Sequence, residues 1–386
     1  LLLALALVLS VGAAACGGDD DEAGGTEAAT GEEGEPQKGG TLRVQTEAFE
    51  WTGNFDPTGE YLGTAFGFYS NLLVRTLMGY KHQPDAEGNE LVPDLAESEP
   101  EVSDDGKTYT YTLRDGVNFG PPLSRPVTSE DVAYAFKRIG TESIVAQYGF
   151  YYTVIEGMAE FTAAGGLTKE GNEISGIETP DEKTIVFHLT QPTGDFNYRV
   201  GMPAAGPIPE EVAGCFTKAG EYGRFVISSG PYMIKGQDAL DTSSCNAMKP
   251  ISGYDPDAHM YFVRNEAYDQ ATDPNRQNYI DGFAYTINTN VDDIFSQIQA
   301  GSLDSSVSDQ PPKPVLQQYL TDQAKKPNLH SNSGDRTWYI TMNWAVPPFD
   351  DIHVRKAANW IMDKAGILQA WGGSTLGDIA THNIPP

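Results

Sequence analysis

A mixed α/β protein built from more than one lobe is the fold class this sequence predicts, and three observations carry it. The chain has 386 residues, more than one hydrophobic core usually serves. Two segments join a turn to alternating apolar residues, the pattern of β-hairpins. Helical stripes stand between and after them without the strict rhythm of a parallel strand–helix–strand sheet. No long repeat and no apolar run of membrane-spanning length accompanies them.

Leu1 to Ala15 is an apolar run ending in small residues. It is too short to cross a bilayer and fits the apolar part of a secretory signal. Neither an initiating Met nor a basic stretch precedes it, so the sequence is expected to start partway into that signal. Val11-Gly12-Ala13-Ala14-Ala15-Cys16 resembles a bacterial lipobox, with Cys16 as the lipidated first residue of the mature protein. The alternative is an ordinary cleaved signal. Gly17 to Gln37 has eight acidic residues and no basic ones, and reads as a flexible acidic tether.

Ordered structure is expected from Gly39-Gly40-Thr41-Leu42-Arg43-Val44, a short β-prone run. Asp104-Asp105-Gly106-Lys107 then leads into alternation that places Tyr109, Tyr111 and Leu113 on one face. Pro180-Asp181-Glu182-Lys183 does the same for Ile185, Phe187 and Leu189. Partner strands are expected near Glu99 to Ser103 and near Glu173 to Thr179, giving two hairpins. Between them Thr128 and Asp131 have capping-box spacing, and Val132, Ala135, Phe136 and Ile139 form one helical stripe. A second helix is expected from Val291 to Ala300, burying Ile294, Phe295 and Ile298 and ending at Gly301. A third follows Asp350-Asp351, carries Val354, Ala357, Ala358 and Ile361, and stops near Gly366.

A net charge of −29 repels phosphate backbones and argues against nucleic acid. The 19 tyrosines suit either a binding surface or the filling of strands. No nucleophile elbow, metal helix, phosphate loop or dinucleotide fingerprint is present; Gly372-Gly373-Ser374-Thr375-Leu376-Gly377 has the wrong spacing. The histidines (His82, His188, His259, His330, His353, His382) are scattered, and Asp255-Pro256-Asp257-Ala258-His259 lacks the glycine turn and closing glutamate of a calcium loop. No metal site, cofactor or enzyme activity is therefore expected. With Cys16 lipidated, Cys215 and Cys245 remain as a pair in an oxidising compartment. A disulfide between them is expected, the alternative being two unpaired buried thiols.

Four blocks then carry a resemblance. The first is Gly39-Gly40-Thr41-Leu42-Arg43-Val44 with Phe55-Asp56-Pro57. The second is Leu91-Val92-Pro93-Asp94-Leu95-Ala96-Glu97-Ser98 with Asp105-Gly106-Lys107-Thr108-Tyr109, Leu113-Arg114-Asp115-Gly116-Val117-Asn118-Phe119 and Pro126-Val127-Thr128-Ser129-Glu130-Asp131-Val132. The third is Ser229-Gly230-Pro231-Tyr232 with Arg264-Asn265-Glu266-Ala267-Tyr268-Asp269. The fourth is Met342-Asn343 with Pro347-Pro348-Phe349-Asp350-Asp351 and Val354-Arg355-Lys356-Ala357. In this order they resemble the extracellular solute-binding proteins of the oligopeptide/dipeptide/nickel class, family 5, which serve ABC importers. Each block also has a scaffold reading as a turn or cap, and Asp56 and Arg355 are expected in structural pairs or caps.

The resemblance implies a two-lobed periplasmic-binding-protein-like fold (type II, cluster C) with a hinge, closing on a ligand held between the lobes. It implies a monomer, anchored by lipid to the outer face of the cell membrane, that delivers peptides to the transmembrane subunits of a permease. The expected organisation is a signal and lipobox (1–15), a lipidated disordered linker (16–38), a first lobe segment (39–78), an accessory subdomain (79–172), a continued first lobe (173–334) and the start of a second lobe (335–386). The family usually runs longer, so the second lobe is expected to be incomplete in this chain, with exposed apolar area and local disorder past about 335. Ligand contacts are expected from Trp51, Tyr148, Tyr151, Asn343 and Trp344, with ordinary packing as the alternative for each. Other open readings are a nickel-chelate or haem receptor, a sensor and a secreted hydrolase; the lack of a His or Met cluster leans toward peptides.

Overall fold

A computed structural model of the protein describes residues 36–83, 85–307, 310–330, 337–375 and 377–381. The expected signal, Cys16 and nearly all of the linker lie outside the described residues, as do His382 and, within the glycine-rich loop, Leu376. In chain order the elements are β1 (Thr41–Thr46), α1 (Gly63–Phe68), β2 (Met78–Tyr80), β3 (Leu91–Pro93), β4 (Glu101–Val102), β5 (Thr108–Thr112) and α2 (Ser129–Ile139). They continue with α3 (Met158–Ala163), β6 (Ile177–Asp181), β7 (Thr184–His188), α4 (Phe196–Val200), α5 (Glu210–Ala213), β8 (Tyr232–Ile234), β9 (Tyr254–Asp255) and β10 (His259–Arg264). The remainder are β11 (Gly282–Ile287), α6 (Val291–Gln299), β12 (Ser305–Ser306), α7 (Lys313–Thr321), α8 (Ile352–Ile361) and α9 (Lys364–Trp371).

The main sheet runs β12-β1-β11-β10-β8, with β9 paired to β10. Strand β1 is parallel to both neighbours, Val44 lying opposite Tyr285 on one side and Ser305 on the other. The crossover from β11 through α6 to β12 thus straddles the first strand of the chain. Burial draws α1 onto this sheet: Phe68 meets Tyr285 at 4.7 Å and Phe262 at 5.8 Å between ring centroids.

The two expected hairpins form and join into one antiparallel sheet, β4-β5-β7-β6. Tyr109 faces Phe187 and Tyr111 faces Ile185 across β5 and β7. All six residues assigned to the inner faces are buried, Leu113 and Leu189 among them. Helix α2 covers that face, Phe136 meeting Phe187 at 4.9 Å, and its capping box is present. Asp131 accepts from the Thr128 backbone N–H at 2.8 Å. The expected break at 172/173 falls inside this unit, because β5 bonds to β7. Neither two-stranded hairpin can cover its apolar face alone, so the accessory sheet runs on to His188.

Helix α6 starts with the Asn290 side chain accepting from Asp293 N–H. It buries Ile294, leaving Phe295 and Ile298 half-buried, and Gly301 follows with φ +73°. The third expected helix is two: α8 ends at Ile361, and Asp363 caps α9 by accepting from Gly366 N–H at 2.8 Å. The local acceptor at Asp363 starts a new helix where periodicity alone suggested continuation to Gly366. Neither α8 nor α9 buries a side chain, and Trp338, Trp344 and Trp360 are 71%, 76% and 86% exposed.

Two buried charge clusters tie remote segments together. Arg138, near the end of α2, donates to Asp56 at 2.8 Å, with both side chains fully buried. It also donates to the carbonyls of Ala213 and Phe216 and to Thr58 Oγ1, and its guanidinium lies 5.1 Å from the Tyr222 ring centroid. In the second cluster Arg75 pairs with Asp94, and Arg276 bridges Asp94 at 2.8 Å and Asp273 at 3.0 Å. Burial pushes the Asp273 carboxyl up, but Arg276 and Arg75 outweigh it and hold it below the usual range. Arg355 donates to the carbonyls of Phe349 and Asp350 at the start of α8. The family-block residues Asp56, Asp94 and Arg355 therefore hold scaffold.

Asp56→Asn is expected to lower unfolding free energy by about 3–5 kcal/mol, because it leaves the Arg138 charge buried without a counter-ion; urea titration measures it. A second expectation concerns His82. Burial pushes its imidazole down to about 4, with Arg276 and Arg75 adding to the shift and Asp94 and Asp273 opposing it. Between the ordinary value near 6.5 and 4 the unfolded chain takes up a proton that the folded chain refuses. Stability is therefore full above that window and falls as pH drops through it. In His82→Gln, urea midpoints measured across the window are expected to show a flatter slope.

Candidate functional site

The carboxyl ends of β1, β11 and β12 converge where the chain order of neighbouring strands reverses, the place where open α/β sheets leave a crevice. A cavity of about 120 Å³ lies there. Its walls are the segment Thr46 to Trp51 leaving β1, Thr64 and Phe68 of α1, and Val307 after β12. Phe49 and Trp51 stack at 5.3 Å and 8°, and Trp51 meets the buried Phe55 at 5.0 Å and Phe68 at 5.5 Å. Glu47 and Glu50 are exposed at its mouth.

The loop that follows is held by an acid that sequence reading passed over. Glu60 is fully buried. It accepts from the backbone N–H groups of Thr52 (3.0 Å), Gly53 (3.0 Å) and Phe55 (2.6 Å) and from the Thr52 hydroxyl (3.0 Å). A carboxylate with four donors can stay in the interior without a basic partner. The loop it encloses is tight: Asn54 and Phe55 both take positive φ, 51° and 61°. Gly223 permits the close approach, since a Cβ there would lie 2.0 Å from the Asn54 carbonyl oxygen. Tyr69, in the core, donates to the Phe55 carbonyl at 2.6 Å. The two ends of this clamped loop carry Trp51 and Tyr61.

On the other side of α1 stands a second aromatic group. Tyr148 stacks on Tyr61 at 5.2 Å and 10°, and on Tyr151 at 5.7 Å and 15°, while Phe66 of α1 meets it at 5.6 Å. The Arg199 guanidinium lies 5.5 Å from the Tyr151 centroid, closing one end of the stack. Tyr148 donates its hydroxyl to the Tyr61 carbonyl at 3.1 Å; burial, with Tyr61 and Tyr151 adding, raises that phenol and keeps its proton. Gln147 donates to the Gly59 carbonyl at 3.1 Å, fastening this segment to the Glu60 loop. Tyr61 and Phe150 are exposed, so the stack presents an open aromatic face.

Of the expected contacts, Trp51, Tyr148 and Tyr151 are gathered around α1. Among the described residues nothing joins Asn343 and Trp344 to them: Asn343 accepts from Ala345 N–H at 3.0 Å, and Trp344 projects outward. Phe49, Tyr61, Phe66 and Phe68 were missed, although each lies within two residues of a glutamate or another aromatic in a short polar-aromatic stretch. Cys215 and Cys245 are joined by a disulfide, with Cα atoms 5.4 Å apart. Among the described residues no group of His, Cys, Asp or Glu is arranged to hold a metal, and no helix is long and apolar enough to cross a membrane.

A family model described as bacterial extracellular solute-binding proteins, family 5 Middle, matches residues 90–386. The di/tripeptide-binding protein 1 of Pseudomonas aeruginosa is 28% identical over 342 residues, covering 86% of this chain and 56% of that protein. The heme-binding protein A of Haemophilus influenzae is 26% identical, covering 86% of this chain and 55% of that protein. Among solved structures, clavulanic acid biosynthesis oligopeptide binding protein 2 superposes with a TM-score of 0.73 at 31% identity, over 91% of this chain and 59% of that one. The chain thus spans little more than half the length of these relatives.

Replacing Glu60 by Gln leaves the volume but turns an amide toward backbone donors. The expected result is a folded protein less stable by about 1–3 kcal/mol. Trp51 emission is expected to shift, because the loop that fixes the indole against Phe49 loosens; steady-state fluorescence beside urea unfolding reads both.

Proposed function

The chain belongs to the bacterial extracellular solute-binding proteins of family 5, and from that premise we propose that it captures short peptides as the substrate-binding component of an ABC importer. The observation that carries this reading is the aromatic-walled cleft at the carboxyl end of the parallel strands β1, β11 and β12. Rigid rings offer contact area to a peptide backbone without demanding one side chain, and the half-exposed loop leaves room for bridging water. A relative named for di/tripeptide binding supports the choice of ligand.

In this proposal residues 39–334 form the first lobe and 335–386 begin the second, with ligand favouring the closed arrangement that adds contacts from both. Trp51, Tyr148 and Tyr151 supply the first-lobe contacts, while Asn343 and Trp344 approach from the second. The protein works as a monomer at the outer face of the cell membrane, tethered by a lipid on Cys16. It hands its cargo to a permease without making or breaking bonds in it.

Calorimetric titration of the chain with mixed di- and tripeptides is the test. Binding is expected with peptide recovered unchanged, and Tyr148→Ala is expected to weaken it about tenfold, the scale of a buried aromatic contact. Absence of peptide binding, together with a Soret shift on adding haem, would replace the peptide reading with the haem-receptor one.

A further inference from the structure

The Tyr61–Tyr148–Tyr151 stack is secured at its two ends by different parts of the chain. At one end Tyr61 leaves the Glu60 loop, and the Tyr148 hydroxyl donates to its carbonyl at 3.1 Å. At the other end the Tyr151 hydroxyl has no hydrogen-bond partner among the described residues. That ring is held through its faces instead, by Tyr148, by Phe150 at 4.4 Å and by the Arg199 guanidinium. Phe150 is itself exposed and lends little support. Arg199 is well fixed. Its Nη1 donates to the Tyr151 carbonyl at 2.5 Å, and its Nε and Nη2 donate to the two oxygens of Asp195 at 3.0–3.1 Å. Its own carbonyl accepts from the buried Tyr152 hydroxyl at 2.8 Å. Helix α4, which carries it, is anchored by Phe196 against Tyr109 at 5.0 Å and Phe187 at 5.3 Å, both in the accessory sheet. One guanidinium thus orients the end ring of the stack from the accessory sheet.

We propose that Arg199 is a positioning residue for ligand binding: it holds Tyr151, and through it Tyr148, in the orientation that meets a peptide, without touching the peptide itself. The proposal deepens the peptide reading and rests on it for what the stack meets. A guanidinium over a phenol ring is attracted by the electron-rich face of that ring. The forked pairing with Asp195 keeps the planar cation from swinging away. The Arg199 side chain is only 17% exposed, so water competes weakly for it. Rings oriented before a ligand arrives lose less freedom when it binds, and that saving appears as affinity. An arginine that merely tied α4 to the turn at Tyr151 would contribute to stability and leave affinity untouched.

The test is a double-mutant cycle between Arg199→Met and Tyr148→Ala, read by calorimetric titration with Ala-Ala, Ala-Phe and Ala-Ala-Ala, one at a time. Methionine keeps the length of the side chain and removes its charge. Arg199→Met is expected to weaken binding about fivefold. Added to Tyr148→Ala it is expected to cost nothing further, because the ring it orients is gone. The near-ultraviolet circular dichroism of the unliganded protein is expected to lose part of its tyrosine signal in Arg199→Met. Arg199→Lys, which keeps a cation beside the ring, is expected to restore part of both readouts. Urea midpoints report the folding of each variant. Should Arg199→Met fail to fold, Asp195→Asn, which removes only the half-exposed carboxylate that orients the guanidinium, carries the same cycle with a smaller expected loss. Unchanged affinity in Arg199→Met, or a loss that recurs undiminished beside Tyr148→Ala, overturns the proposal and leaves the peptide reading standing. Absence of binding of all three peptides by the unaltered protein overturns both.

Discussion

A buried guanidinium has to be met on every side, and in this protein that requirement at Arg138 holds the architecture together. The side chain rises from α2, which belongs with the accessory sheet, yet its partners come from elsewhere. They are Asp56 and Thr58 in the loop after β1, the carbonyls of Ala213 at the end of α5 and of Phe216 just beyond it, and the ring of Tyr222. Taking such a charge out of water costs several kcal/mol, recovered only if all these groups are in place at once. The two sheets therefore cannot drift apart without stranding a charge. Because Asp56 lies in the Glu60 loop, that coupling reaches the wall of the cleft.

The parts of the fold that sequence patterns revealed are those whose cause is local. Tyr109, Tyr111, Ile185 and Phe187 alternate because a pleated strand has two faces, and the capping box of Thr128 and Asp131 needs only three residues of spacing. Where a local acceptor decided the matter against periodicity, as Asp363 does at the break between α8 and α9, the pattern misled. The merging of the two hairpins into one sheet was also hidden, since it is set by a pairing of β5 with β7 across more than seventy residues of intervening chain.

The cleft was harder to read, for a reason rooted in topology. It exists because β12, two residues long, lies beside β1 and carries Val307 to a wall otherwise made from residues 46–68. No periodicity announces a two-residue strand. Glu60 was invisible for a different reason: a buried acid satisfied by backbone donors looks, in sequence, like any other surface glutamate. Trp51, Tyr148 and Tyr151 could be named as candidates from their loop positions. That α1 would stand between them, with Phe68 facing one group and Phe66 the other, could not.

These constraints bear on how such a site binds. A loop pinned by four hydrogen bonds to one carboxylate, and by a buried ion pair four residues earlier, loses little freedom when a ligand arrives. The ordering cost that weakens many loop-built sites is then met during folding rather than during binding. Such a wall discriminates poorly by induced fit, since it does not reshape itself around different side chains. Any selectivity it has comes from features fixed on folding, among them the flat faces of the Phe49 and Trp51 rings. A rigid wall of this kind on one side leaves any adaptation to whatever group meets it from the other.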